Sequence, residues 1–308
     1  MPDETVEQKI EGLDARAQRE REYLSSAGRE ALICSLSGGV DSATTAAVAQ
    51  RAAPGRAVAL LLPCSSEEEL QGERGKDIVD GQRAADHLGL PAVTINLSEL
   101  WRLTSATLAG HAQRMAAVSG IALDDKQIEW AVNNLKPTLR MMAAGFFADA
   151  FRGLTMGTDN AIENFLGYFS VRGDGIADRQ PLRDCTKGEV RELARESGLP
   201  ADLVDRTPTA GLWPGQTDEG ELGFTYDQAD RFFLWLLDRH CAQPVFEETL
   251  TVRPDAIDGI LAAADLPVPR DAAARMIATN RRTRFKRTPH DLAHVLERRG
   301  LARPASEA

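Results

Sequence analysis

Leu36-Ser37-Gly38-Gly39-Val40-Asp41-Ser42 stands between an apolar run and a helical one. The run before it, Ala31–Leu36 (ALICSL), is short and apolar, the pattern of a buried strand. Residues 41–52 read as a helix. A turn of this composition between strand and helix is an anion cradle. Gly38 and Gly39 let the backbone come close, Ser37 and Ser42 add hydroxyls, and the first N–H groups of the helix point at the charge. Asp41 is out of place beside a phosphate unless a metal lies between them. A carboxylate on Mg²⁺ that also meets phosphate resolves this. The same residues would serve as a plain Ser/Gly helix cap; the strand before them and the Asp41-Ser42 pair favour the anion. No Lys follows the glycines and no third glycine is spaced for a dinucleotide turn, so neither common phosphate motif applies.

Outward from this loop, strands and helices alternate. Strands are predicted at 57–62 (AVALLL), 92–97 (AVTINL) and 153–157 (GLTMG). Helices are predicted at 3–29, 77–88, 98–120, 138–152 (with Pro137 at its start), 186–197 and 229–237, and through most of the last 50 residues. The segment 161–183 reads as loop. This order predicts an α/β fold: a doubly wound parallel sheet with helices on both faces and a nucleotide site at the carboxyl ends of the strands. One domain over 1–308 is expected, with 1–29 as an N-terminal helix and 300–308 as a polar tail.

Composition narrows the function. With 36 Lys+Arg against 46 Asp+Glu the net charge is −10, which disfavours non-specific nucleic-acid binding. No apolar run is long enough to span a membrane, and the polar start excludes a secretory signal. Cys34, Cys64, Cys185 and Cys241 show no CxxC spacing, so reduced cytoplasmic thiols are expected rather than a zinc site.

A second half of the site follows the fourth strand. Gly157-Thr158-Asp159-Asn160-Ala161-Ile162-Glu163 must lie on the same sheet edge as Ser37–Ser42. Glu163 can then join Asp41 around one Mg²⁺; alternatively Asp159 or Asn160 simply caps a helix. Gly173-Asp174-Gly175-Ile176-Ala177-Asp178 is either a turn or a binding loop. Lys187 opens a helix, and Thr209 sits in Thr207-Pro208-Thr209-Ala210-Gly211.

Together these segments resemble the ammonia-dependent NAD synthetase family, within the ATP pyrophosphatases that release AMP and pyrophosphate. The matches run in the family's order: SGGVDS, NNLKPTLRM, GTDNAIENFLGYF, GDGIAD, QPLRDCTKGEV, TPTAGLWPGQTDEGELGFTYDQAD and FKRTP, across roughly residues 30–290. The resemblance implies a ligase that adenylates a carboxylate with ATP and amidates it with ammonia. It implies that Ser37, Gly39, Asp41 and Ser42 hold pyrophosphate and metal, that Thr158 contacts ATP, that Glu163 holds Mg²⁺, and that Lys187 and Thr209 bind the phosphates. Asp41 and Lys187 would act in catalysis. It also implies a homodimer with the acid substrate at the subunit interface. Ammonia would arrive free or from a partner protein, because the chain is too short for a glutaminase domain as well.

The acid side departs from the family. Thr138 stands where the family has an Arg, leaving only Arg140. Val171 stands at a Lys place, with Arg172 beside it. Phe285 replaces a His, with Arg284 before it. Asp178 and Lys286 are retained. Arg140, Arg172, Asp178 and Lys286 are therefore the expected acid-binding set. Each lost hydrogen bond to a charged group costs about 1.5–3 kcal/mol. The expectation is a family member that amidates a carboxylic acid other than nicotinate adenine dinucleotide, with a divergent true NAD synthetase as the alternative.

Two other function classes share the loop or its nucleotide chemistry. A tRNA-thiolating enzyme needs paired cysteines and a basic surface, which are missing. A non-catalytic nucleotide binder would have shed Asp41, Glu163 or Lys187, which are present. The five cations of Arg281–Arg287 carry one aromatic and do not suggest nucleic acid. His290 and His294 share a helical face but lack the Glu of a zinc-protease motif.

Overall fold

The computed structural model describes residues 11–287 apart from Glu67, Glu69, Leu70, Ala210, Pro214 and Glu248, and not the side chains of Glu73 and Arg74. Residues 3–10 of the predicted first helix, His290, His294 and the polar tail lie outside the described residues.

Four parallel strands form the sheet: β1 (Leu32–Ser35), β2 (Ala57–Leu61), β3 (Ala92–Thr94) and β4 (Leu154–Met156), in the order β3-β2-β1-β4. The chain winds outward from β1 to β3 and then returns to pair β4 on the other side of β1. The strand order therefore reverses between β1 and β4, and that reversal opens a crevice at the strand ends.

Alternation along the strands feeds two cores. Leu32 and Cys34 of β1 join Ala57 and Ala59 of β2 on one face, against α1 (Leu13–Ser26), α2 (Val40–Ala52) and α3 (Glu73–Leu88). Ile33 and Leu60 point the other way, toward α4 (Ser98–Ser119) and α5 (Asp125–Ala150). Leu32, Ile33 and Leu60, each fully buried, contribute about 1.5–3 kcal/mol apiece. The doubly wound arrangement agrees with the expectation from sequence.

Several boundaries differ for identifiable reasons. The helix expected from 138 runs from Asp125, because Asp124 and Gln127 form a reciprocal capping box at 2.8 and 2.7 Å. Pro137 lies inside this helix, where Trp101 Nε1 donates to Val132 O and Lys136 Nζ to Leu212 O. Docking on both sides carries the helix through the proline. Within the expected loop 161–183, residues Ala161–Leu166 form α6, capped by Asn160. α7 (Lys187–Glu196) falls where expected, and α8 (Ala201–Val204) and α9 (Asp218–Leu222) are short. α10 (Tyr226–Ala242) starts earlier than read, on a Thr225/Gln228 capping box.

A third core lies behind α6. Phe165 packs with Phe232, Phe233 and Leu236 of α10 and with Met276 of α12 (Arg270–Arg282); α11 (Ile257–Ala262) covers its edge. Asn280, fully buried there, donates to Phe165 O (2.7 Å) and Leu250 O (2.9 Å) and accepts from Val252 N (2.8 Å). This network fixes the back of the short helix that carries Glu163. No disulfide joins the cysteines. Among the described residues, no helix is long and apolar enough to cross a membrane.

Candidate active site

β1 delivers the Ser37–Ser42 loop to the crevice. Gly38 takes φ +78°, and a Cβ there would meet Asp77 O at 2.6 Å, so only glycine fits. The two serines brace the turn: their Oγ atoms lie 3.1 Å apart, and Ser42 Oγ donates to Gly39 O at 2.9 Å. Arg206 holds the loop from outside, donating to Gly38 O at 3.2 Å while paired with Asp77 and Asp80.

β4 brings in the second half. Asn160 caps α6 by accepting from Ile162 N and Glu163 N, each at 3.0 Å. Its Nδ2 reaches across the crevice to Asp41 Oδ1 at 3.0 Å, tying the two halves together. Glu163 Oε2 accepts from Asn160 N at 3.1 Å. Asn160 is thus the helix cap that the sequence offered as one reading, and it also bonds Asp41 across the crevice.

Lys187 is the centre. Its backbone N–H and that of Gly188 donate to Asp230 at 3.1 and 2.7 Å, which anchors the start of α7. Its side chain is buried, with Nζ 2.5 Å from Asp41 Oδ2 and 3.4 Å from Glu163 Oε1. Burial works against its charge, but Asp41 and Glu163 outweigh that and hold the ammonium above the usual lysine range. Burial pushes Glu163 up to about 8, with Lys187 pulling down and Asp41 adding to the rise. Asp159, also buried, is raised by the loss of water and by Asp174 and Glu163 nearby.

Asp41 and Glu163 offer two carboxylates at one place. Among the described residues no group of three or more His, Cys, Asp or Glu forms a metal cage. Mg²⁺ commonly takes one or two carboxylates, keeps waters and completes its shell with substrate phosphates, so this donor set fits it.

A cavity of about 370 Å³ runs from this cluster along the strand ends. Ser37, Gly39, Asp41, Ser42, Thr158 and Thr209 line it, as do Glu163 and Lys187. Arg140, Asp174 and Lys286 line it too. Arg140 Nε donates to Leu62 O at 3.1 Å. Lys286 Nζ donates to Gly167 O and Phe169 O at 2.9 and 2.8 Å, and burial lowers its pKa despite Asp174.

Two expected acid-side residues stand elsewhere. Arg172 is exposed and does not line the cavity. Asp178 accepts from Thr155 N and Oγ1, both at 2.8 Å, on the far side of β4. Thr138 donates to Asn134 O, Val171 and Phe285 are exposed, and Arg284 pairs with Glu247 at 2.9 Å. Asp174 takes the place in the wall that the reading gave to Asp178. A signal was available: Asp174 lies between two glycines. A Cβ on Gly173 would meet Pro137 Cβ at 2.6 Å, and one on Gly175 would meet the Phe169 ring at 2.8 Å. Arg206, Tyr168 and Tyr226 carried no comparable local signal.

The family model described as NAD synthase matches residues 13–289. The chain belongs to the NAD synthase family. A curated relative, the NH(3)-dependent NAD(+) synthetase of Carboxydothermus hydrogenoformans, is 37% identical over 214 residues, covering 70% of this chain and 81% of the relative. Among solved structures, the NMN synthetase of Francisella tularensis aligns with a TM-score of 0.63 and 27% identity over 90% of this chain and 97% of its own. The NAD+ synthetase of Burkholderia pseudomallei aligns with a TM-score of 0.55 and 32% identity over 73% and 82%. As a member of the NAD synthase family the protein is a carbon–nitrogen ligase that joins ammonia to a carboxylate, with ATP and Mg²⁺ as its cofactors.

Proposed function

We propose that this ligase keeps the ATP half of the family reaction and amidates a carboxylic acid other than nicotinate adenine dinucleotide. One observation carries the reading. The positions matched to ATP and metal gather around Lys187, whereas Thr138, Val171 and Phe285 replace polar contacts, and neither Arg172 nor Arg284 reaches the cavity to compensate. The NMN synthetase likeness, which spans most of both chains, makes nicotinate mononucleotide the first acid to test.

In this reading the acid's carboxylate oxygen attacks the α-phosphorus of ATP. The bond from that phosphorus to the bridging oxygen breaks, and pyrophosphate leaves with the electron pair. Lys187 and the N–H groups of residues 37–42 meet the charge that develops on it. Asp41 and Glu163 would hold Mg²⁺, which when bound would offset the charge of the triphosphate. Thr158 and Thr209 contact the nucleotide. Arg140, Asp174 and Lys286 orient the acid end. Ammonia then adds to the acyl carbon, loses a proton, and AMP departs.

A second reading, a true NAD synthetase, is favoured by the name of the 37%-identical relative. Pyrophosphate release with ATP, Mg²⁺ and ammonium separates the two. The expected result is a kcat/KM for nicotinate mononucleotide, or another small acid, at least tenfold above that for nicotinate adenine dinucleotide. Preference for the dinucleotide restores the second reading.

The same proposal includes a homodimer. α4 and α5 leave Leu103, Met115, Val118, Trp130 and Phe146 more than half exposed. An apolar row of this length marks an interface between two copies of the chain. Sedimentation is expected to give a dimer for the native chain and a monomer for Phe146→Glu. A native monomer would remove the proposal.

A further inference from the structure

Glu163 is held on one side by the chain. Asn160 N–H fixes its Oε2 at 3.1 Å. Its other oxygen, Oε1, meets Lys187 Nζ at 3.4 Å and the hydroxyl of Tyr226 at 3.3 Å. The lysine is shared with Asp41 and is the group expected to turn toward phosphate, so it cannot define the plane of the Glu163 carboxylate by itself. Tyr226 can. It opens α10, is 2% exposed, and has its backbone N–H bound to Glu219 Oε1 at 2.9 Å. Its hydroxyl also lies 3.0 Å from Asp218 Oδ2, so its single proton is shared between the two carboxylates. The ring is therefore locked by burial, by its helix and by a second carboxylate. Lys187 Nζ stands 4.7 Å from the centre of that ring, within range of a cation–π attraction.

One side chain thus touches both of the groups that flank Asp41. We infer that Tyr226 is a positioning residue, whose hydroxyl sets the Glu163 carboxylate for the metal and whose ring seats the Lys187 ammonium. The inference rests on the proposed role of Glu163 as a metal ligand. Partners that orient a metal-binding side chain typically contribute 10–100-fold in metal affinity.

The test is direct binding of Mn²⁺, as a probe for Mg²⁺, to the full chain with a non-hydrolysable ATP analogue, followed by paramagnetic resonance of free Mn²⁺. Tyr226→Phe keeps the ring and loses the hydroxyl; it is expected to weaken Mn²⁺ binding about 10-fold or more. Tyr226→Leu is expected to show that loss and also a further fall in kcat. In a Glu163→Gln background, Tyr226→Phe is expected to add no further loss, because it acts through that carboxylate. Melting curves of each variant report the fold separately. Wild-type Mn²⁺ affinity in a folded Tyr226→Phe, or an additive loss on top of Glu163→Gln, overturns the inference. If Glu163→Gln itself binds Mn²⁺ as the native chain does, the metal assignment fails instead. If Tyr226→Phe does not fold, Asp218→Asn tests the same anchor from its other end: unchanged Mn²⁺ affinity there overturns the inference, and a loss absent from the Glu163→Gln background supports it.

Discussion

Lys187→Met is expected to slow pyrophosphate release by about 10²–10³-fold, the usual effect of removing one charge-stabilising donor. The side chain is buried between Asp41 and Glu163, so no solvent cation takes its place. Asp41→Asn and Glu163→Gln are expected to abolish the same release. Lys187→Met loses stability, because it breaks a buried ion pair from one side, but the start of α7 stays anchored by Asp230 to the backbone of Lys187 and Gly188. Pyrophosphate release measured beside melting curves checks this. A folded Lys187→Met within threefold of the native rate would remove the residue from the chemistry.

Arg16→Met is expected to cost about 3–5 kcal/mol of stability, the effect of breaking a buried ion pair from one side. Arg16 and Asp184 are 2% and 6% exposed and lie 2.7 Å apart. Arg16 also donates to Pro181 O at 2.8 Å and Glu11 O at 3.0 Å. The change leaves Asp184 buried without its guanidinium, and it loosens α1 from the segment that leads into α7. For a chain of this size the melting temperature should fall by roughly 6–10 °C. Adding Asp184→Leu should recover part of the loss, since replacing both partners by apolar groups is often near neutral. A shift of less than 1 °C in the single variant would show that the pair does not hold the helix.

The two halves of the site differed in how far they could be read from sequence. The Ser37–Ser42 loop was legible because its geometry is local: strand, two glycines, helix. The same holds for the alternation of β1 and β2, which feeds opposite cores from adjacent residues. Lys187 was harder. A lysine at a helix start is normally solvated, and nothing within its own segment marks it as buried. It meets Asp41 across 146 residues and Glu163 across 24. Asp174 and Asp178 looked equivalent in a glycine-rich loop. Packing of Gly173 on Pro137 and of Gly175 on Phe169 turned the first into the cavity and left the second on β4.

By itself, then, the sequence determined the winding of the sheet, the glycine turn after β1 and, through its motif order, the family. The first two follow from periodicity and from residue types acting on their immediate neighbours; the family follows from the resemblance of its motifs. Tertiary structure alone decided which groups meet: Asn160 on Asp41, Lys187 between two carboxylates, Tyr226 against Glu163 and Lys187. Local patterns record which apolar side chains are buried, not that Lys187 is. Which remote groups share that burial is set by how the helices close over the strand ends.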